Sequence, residues 1–216
     1  MRPDAPTDSP GWRRLVVGCG LALGLTIVAI DFWRYDLRYS LPTPRAPGLE
    51  QPAPGARIDL PPTVAAHAVP DRPLLLHFFN AQCPCSRFNL DHLQALVRDY
   101  RGRVTFVAVL QGDDAAAERP PALAGFDIAA VRDHDGGLAR LCGVYSTPQA
   151  VLLTAGRVLF FRGNYNLSRF CTDATTAFAQ QAIDALLAGR PLPGMPAAAT
   201  TAYGCELPSS PAPEAR

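Results

Sequence analysis

The chain has 216 residues, of which 48% are hydrophobic, and a formal net charge of +1 from 20 basic and 19 acidic residues, every basic one an arginine. So even a balance gives no strong field to capture nucleic acid. The length holds one domain plus attachments. Taken from the start, residues 1–12 are polar and proline-containing, and Arg13 and Arg14 then abut the unbroken apolar run LVVGCGLALGLTIVAI at 15–30. That run exceeds a signal-peptide core and falls slightly short of the about 20 residues of an ideal span. Phe32, Trp33 and Tyr35 follow it as interfacial aromatics do. With no small-x-small cleavage site just downstream, the stretch predicts an uncleaved single-pass anchor over 15–33, which places Cys19 inside the span. Arginines on the two flanks balance (Arg2, Arg13 and Arg14 against Arg34, Arg38 and Arg45). The short leading tail and the abutting arginine pair favour residues 1–14 in the cytoplasm and the remainder outside.

Residues 34–69 carry prolines at 42, 44, 47, 52 and 54. They read as an extended spacer lifting the following domain off the membrane, with a short strand candidate at 56–60. The bulky run LLLHFF at 74–79 predicts a central strand buried on both faces. Asn80, Ala81 and Gln82 break it, and Cys83-Pro84-Cys85-Ser86 opens a helix marked by Phe88, Leu90, Leu93, Leu96 and Val97. With Cys83 at the N-cap, Pro84 takes the first helical position, where proline is well tolerated. The amides of Cys85 and Ser86 then face the Cys83 sulfur, and Arg87 adds a cation; both favour a thiolate. The pattern points to redox or metal chemistry over a pair of inert buried cysteines.

Further along, 104–110 predicts a second buried strand, 111–125 a loop, 126–131 a third strand, 133–137 a turn and 138–142 a short helix. Residues 150–153 and 158–161 read as a hairpin around Ala155-Gly156. Residues 172–187 read as a last amphipathic helix with Phe178, Ile183, Leu186 and Leu187 inward. The tail, 191–216, is rich in Ala and Thr apart from Tyr203-Gly204-Cys205. Alternating strands and helices closing in a hairpin and helix predict an α/β sandwich.

The segment FFNAQCPCS at 78–86 resembles the strand, turn and active-site helix start of the thioredoxin superfamily. GVYSTP at 143–148 resembles that family's loop with a cis-proline before its fourth strand, and Gly156 and Gly163 fit its hairpin turn and the glycine after its last strand. The resemblance covers residues 70–190. The long interval from the cysteines to Pro148, with an extra strand, is closest to the redoxin branch, which includes membrane-tethered periplasmic reductases and the peroxiredoxins. The resemblance implies a three-layer α/β sandwich with a central mixed sheet, preceded by the transmembrane helix. It further implies a membrane-anchored extracytoplasmic thiol–disulfide oxidoreductase of a bacterial inner membrane, with its domain in the periplasm. Such a protein works without a cofactor on client protein thiols and disulfides, together with a redox partner. Cys83 would attack and Cys85 would resolve. Thr147, beside a cis Pro148, would offer its backbone to an extended substrate strand. His77 stands where thioredoxins hold a buried proton-moving acid, so it is a candidate proton shuttle, or else a core histidine bonded to its neighbours.

The motif departs from the family's Cys-x-x-Cys. Ser86 takes the resolving position, and residues at i and i+2 of a helix point to nearly opposite sides, so a Cys83–Cys85 disulfide would distort the first turn and be easily reduced. The loop at 163–166 would lie beside the active site, which makes Cys171 an alternative resolving residue. Cys205 could reach back to Cys171 as a structural staple; connectivity stays open. A second function is a copper(I) chaperone holding the metal through Cys83 and Cys85, soft ligands suited to Cu(I). A peroxidase lacks its Pro-x-x-x-Thr/Ser-x-x-Cys pattern here, and a non-catalytic peptide-binding adaptor has no need of the cysteine pair.

Overall fold

A run as bulky as LLLHFF leaves no face for water, and β1 (Leu74–Phe79) is buried along its whole length in the middle of a sheet. The computed structural model describes residues 10–112, 121–167 and 173–207. The sheet has five strands in the order β3-β2-β1-β5-β6. These are β2 (Thr105–Leu110), β3 (Ala129–Arg132), β5 (Gln149–Leu153) and β6 (Leu159–Gly163) around β1. The strands β1, β2 and β3 run parallel, whereas β5 is antiparallel to β1 and β6 to β5. Alternate residues of β1 feed opposite cores. Leu75 and Phe79 meet Leu93 and Leu96 of α4 (Leu90–Asp99) and Phe178 and Ile183 of α6 (Phe178–Leu187). Leu74, Leu76 and Phe78 meet Leu138 and Cys142 of α5 (Gly137–Cys142). Each such side chain withdrawn from water contributes about 1.5–3 kcal/mol, so the sheet centre carries most of the fold's cohesion. Helices on both faces of a mixed sheet, with the strand order above, make the expected thioredoxin-like three-layer sandwich.

The chain divides into two compact units, Met1–Ser40 and Leu41–Arg216. Among the described residues the first holds α1 (Pro10–Tyr35) and a 3-10 turn at Leu37–Ser40. Its stretch Gly11–Tyr35, whose most apolar 18-residue window has a mean hydropathy of 2.2, is long and apolar enough to cross a membrane. The second unit starts well before residue 70. Ile58 and Val64, the latter in the short helix α2 (Pro62–Ala65), are buried in the core beside α5, and Arg57 bridges Val158. Residues 41–69 are therefore a layer of the domain where an extended spacer was expected: two buried apolar side chains spaced among the prolines, together with backbone bonds such as Ile58 N to Arg157 O at 2.9 Å and Gly55 N to Leu159 O at 2.8 Å, hold them down.

Smaller differences are local. The third strand begins at Ala129 rather than 126. The first helix is broken at Asn89 into α3 (Pro84–Phe88) and α4. The last begins at Phe178 after a 3-10 turn at Ala174–Thr176, whose start Asp173 caps by accepting from the Thr175 amide at 2.9 Å. Cys171 and part of the expected 111–125 loop lie outside the described residues.

The described part of the tail, residues 191–207, folds back onto the domain. Ala199 and Ala202 are fully buried. The Asn164 side chain donates to the carbonyls of Ala198 (2.7 Å) and Thr201 (2.6 Å), and its backbone amide donates to Ala199 O at 2.8 Å. At Gly163 any Cβ would strike the Ala199 carbonyl, so only glycine permits the approach. The tail then forms β7 (Cys205–Glu206), antiparallel to β4 (Ser146–Thr147), with Thr147 opposite Cys205.

Candidate active site

Cys83 sits where a tight turn hands β1 over to α3. Asn80 makes the turn: its carbonyl accepts the Cys83 amide at 3.0 Å and its side-chain oxygen accepts the Gln82 amide at 2.9 Å. Cys83 is the N-cap of α3 with Pro84 directly after it, as the sequence predicts. Ser86, in the position where a Cys-x-x-Cys motif carries its second thiol, is fully buried, and its hydroxyl accepts the Asn80 amide at 3.4 Å. Arg87 points to solvent.

The Thr147–Pro148 bond is cis, and the Thr147 carbonyl lies 3.5 Å from the Cys83 sulfur. Two sequence-predicted elements thus meet across the mouth of the sheet. The sulfur between them is bonded to Cys205, with the two Cα atoms 5.9 Å apart. This differs from both expected pairings. Cys85 is a buried thiol in the first turn of α3 and takes no part in this disulfide. Cys205 is drawn to Cys83 because β7 pairs with β4 in a register that sets it opposite Thr147. It is therefore not held by Cys171. Under this strand Cys83 is only 2% exposed and Thr147 fully buried.

Beneath the mouth, His77 is fully buried on the α4–α6 side of β1. Its Nδ1 shares a hydrogen bond of 2.7 Å with the Tyr165 hydroxyl, and its Nε2 has no partner among the described residues. Burial pushes its pKa down to about 3, so the ring is neutral at any physiological pH. In that state it is a fixed hydrogen-bonding group rather than one that titrates near neutrality. Tyr165 also meets His92 edge-on at 6.0 Å. On the opposite face Cys142 is buried with its thiol pushed up to about 12 by desolvation, with Asp133 adding to the effect, so it is inert. Asp133 itself accepts from Gln111 and from the Leu138 and Ala139 amides, capping α5. Among the described residues no group of three or more His, Cys, Asp or Glu side chains is placed to hold a metal ion.

Of the residues that the sequence singles out, the fold gathers Cys83, Thr147, Pro148 and His77 at one end and along the centre of the sheet. Sequence reasoning missed Cys205 as the partner of Cys83, and Asn164, Thr43, Ser146 and Gly204, which hold the tail in place. The signal available was Gly204-Cys205, an ordered-looking pair in an otherwise bland tail.

Comparison with known proteins gives the following. Residues 57–207 match the family described as "Domain of unknown function (DUF6436)". The structure is similar to that of the hypothetical protein SMc02350 from Sinorhizobium meliloti 1021, with a TM-score of 0.60 and 22% identity over 73% of this chain and 95% of that one. It is also similar to an uncharacterized conserved protein from Geobacillus kaustophilus, with a TM-score of 0.58 and 20% identity over 81% of this chain and 100% of that one. A weaker likeness, TM-score 0.47 at 19% identity over 65% of this chain and 99% of that one, is to a putative thiol:disulfide interchange protein DsbE from Chlorobium tepidum. No curated protein matches.

Proposed function

We propose that this chain, which belongs to the DUF6436 family, is a membrane-anchored thiol–disulfide oxidoreductase that acts through Cys83, with Cys205 as its disulfide partner. The observation that carries the reading is the Cys83–Cys205 disulfide itself, set at the start of a helix and against the Thr147 backbone. A thiol released there faces the amides that open α3, which favour its thiolate and make it both nucleophile and leaving group.

The reaction is reversible exchange. A thiolate of a client dithiol attacks one sulfur of the pair; the pair's S–S bond breaks and its other sulfur leaves as thiolate. The client's second thiol then attacks the mixed disulfide, closing the client disulfide and leaving Cys83 and Cys205 as thiols. Two electrons pass from client to protein, and the reverse sequence reduces a client disulfide. Cys205 replaces Cys85 in the resolving role because it is the residue whose sulfur reaches Cys83. The apolar helix at 11–35 supports an anchor, and a disulfide linking the two ends of the domain suits an oxidising, extracytoplasmic compartment.

The test is exchange between the purified full chain in detergent and a protein disulfide substrate in a thiol buffer, with Cys83→Ser beside it. Loss of exchange in Cys83→Ser supports the reading; equal rates for the two proteins overturn it.

A further inference from the structure

We propose that residues 202–207 are a built-in stand-in for the client, and that the slot they fill is a binding site for an extended peptide whose cysteine directly follows a glycine. The inference rests on the oxidoreductase reading and names the class of client for that same site. The slot has two walls. On one side the β4 backbone pairs Ser146 with Glu206 and Thr147 with Cys205, and the Leu207 amide donates to Tyr145 O at 3.1 Å. On the other side the Thr43 amide donates to Ala202 O at 2.8 Å, and its hydroxyl lies 3.0 Å from that of Ser146 and 3.4 Å from Gly204 O. Nearly all of these bonds are to peptide groups of the tail, so any extended chain can replace it.

Register does the rest. The residue opposite Thr147 is delivered to Cys83, whose sulfur lies 3.5 Å from the Thr147 carbonyl. The residue before it is constrained twice. Gly204 has φ +126°, a conformation that side chains disfavour, and a Cβ there would strike the Thr147 carbonyl. A strand that fits therefore presents glycine and then cysteine.

The tail and the client compete for one slot, and this orders the exchange. Cys83 thiolate attacks the client's Gly-Cys sulfur, and the client's second cysteine leaves as thiolate. Asn164 keeps its grip on the carbonyls of Ala198 and Thr201. Cys205 therefore stays tethered within about 14 Å of that anchor, at about 3.5 Å per extended residue. As the tail returns to β4, Cys205 thiolate attacks the Cys83 sulfur, the Cys83–client bond breaks, and the client leaves as a dithiol.

The experiment uses the full chain in detergent carrying Cys205→Ser, so that Cys83 is a thiol beneath a tail that still docks. Two synthetic peptides of sequence 202–207 are offered, one as it stands and one with valine in place of glycine. Each carries its cysteine as a mixed disulfide with a coloured aromatic thiol, and capture at Cys83 is confirmed by mass mapping. The glycine peptide is expected to react about tenfold faster or more than the valine peptide. Adding Gly204→Val to the protein is expected to raise capture of the glycine peptide by about a further tenfold, because the internal strand no longer competes. Equal rates for the two peptides overturn the proposal even if the double variant folds poorly. So does a folded double variant with unchanged capture. The small disulfide of the same aromatic thiol separates the two levels. If it reacts at Cys83 while the peptides show no preference, the client slot fails and the oxidoreductase reading stands; if it does not react, both fail.

Discussion

The two halves of the disulfide arrive by different physics. Cys83 is placed by its own neighbourhood: β1 is buried on both faces, Asn80 closes the turn, and Pro84 starts the helix. Cys205 is placed by nothing nearby. It comes from a two-residue strand in a tail held by Asn164, Thr43 and β4, at a sequence separation of 122 from its partner. One sulfur is built into the scaffold and the other is carried on a segment with few bonds of its own. That asymmetry suits exchange chemistry, in which the nucleophile must stay still while its partner changes.

The largest effects should separate those halves. Cys83→Ser should reduce exchange to background in an assay with a protein disulfide. Cys205→Ser should leave Cys83 able to attack but should let mixed disulfides accumulate, visible as client adducts by mass spectrometry. Removing a cross-link of this span also restores chain entropy to the unfolded state, on the order of 4 kcal/mol, read by urea unfolding. If Cys205→Ser resolved mixed disulfides as fast as the parent, the tail would be a staple and no more.

The next effect belongs to the fixed half. His77 has its pKa depressed to about 3 in the folded state against an ordinary 6.5, so the unfolded chain binds the proton first. Its contribution is fully present above pH 6.5 and is lost as pH falls toward about 3, on the order of 5 kcal/mol in all. His77→Leu should flatten that acid limb in urea titrations taken from pH 7 to pH 4. It would also show whether the Tyr165 bond matters for exchange. An unchanged pH profile of exchange rate in that variant would leave His77 a core residue.

Those two halves also differ in how readable they were. Much of what short-range pattern fixes came through, namely the strand at 74–79, the cysteine at the helix start, the hairpin and the sandwich itself, and the family resemblance supplied the cis proline after Thr147. What escaped depends on contacts across the fold. Residues 41–69 look like a linker because proline dominates them, yet Ile58 and Val64 bury fully enough to dock the segment. Cys205 looks like a partner for Cys171 when only tail and loop are weighed. Its true neighbour follows from Gly163 and Gly204 allowing two close backbone approaches, to Ala199 and to Thr147. A glycine's need for room is invisible until the opposing carbonyl is in place.

The smallest effect is the sharpest probe of the carried half. Asn164→Ala removes two side-chain hydrogen bonds, to Ala198 and Thr201, and leaves the backbone bond to Ala199 and all of β4 and β7 untouched. Each bond contributes about 0.5–1.5 kcal/mol, and water can re-solvate the abandoned carbonyls in part, so a loss of about 1.4 kcal/mol is expected. That lowers the effective concentration of the Cys205 thiol at Cys83 about tenfold. In a glutathione redox buffer, the ratio of disulfide to dithiol for this pair should fall by the same factor, with the thiolate character of Cys83 unaltered. A tenfold shift would mean that the tail's grip, and not only its register on β4, sets how readily the pair closes. No shift would mean that β4 alone governs closure, and the asymmetry between a built-in sulfur and a carried one would then reside in the strand pairing itself.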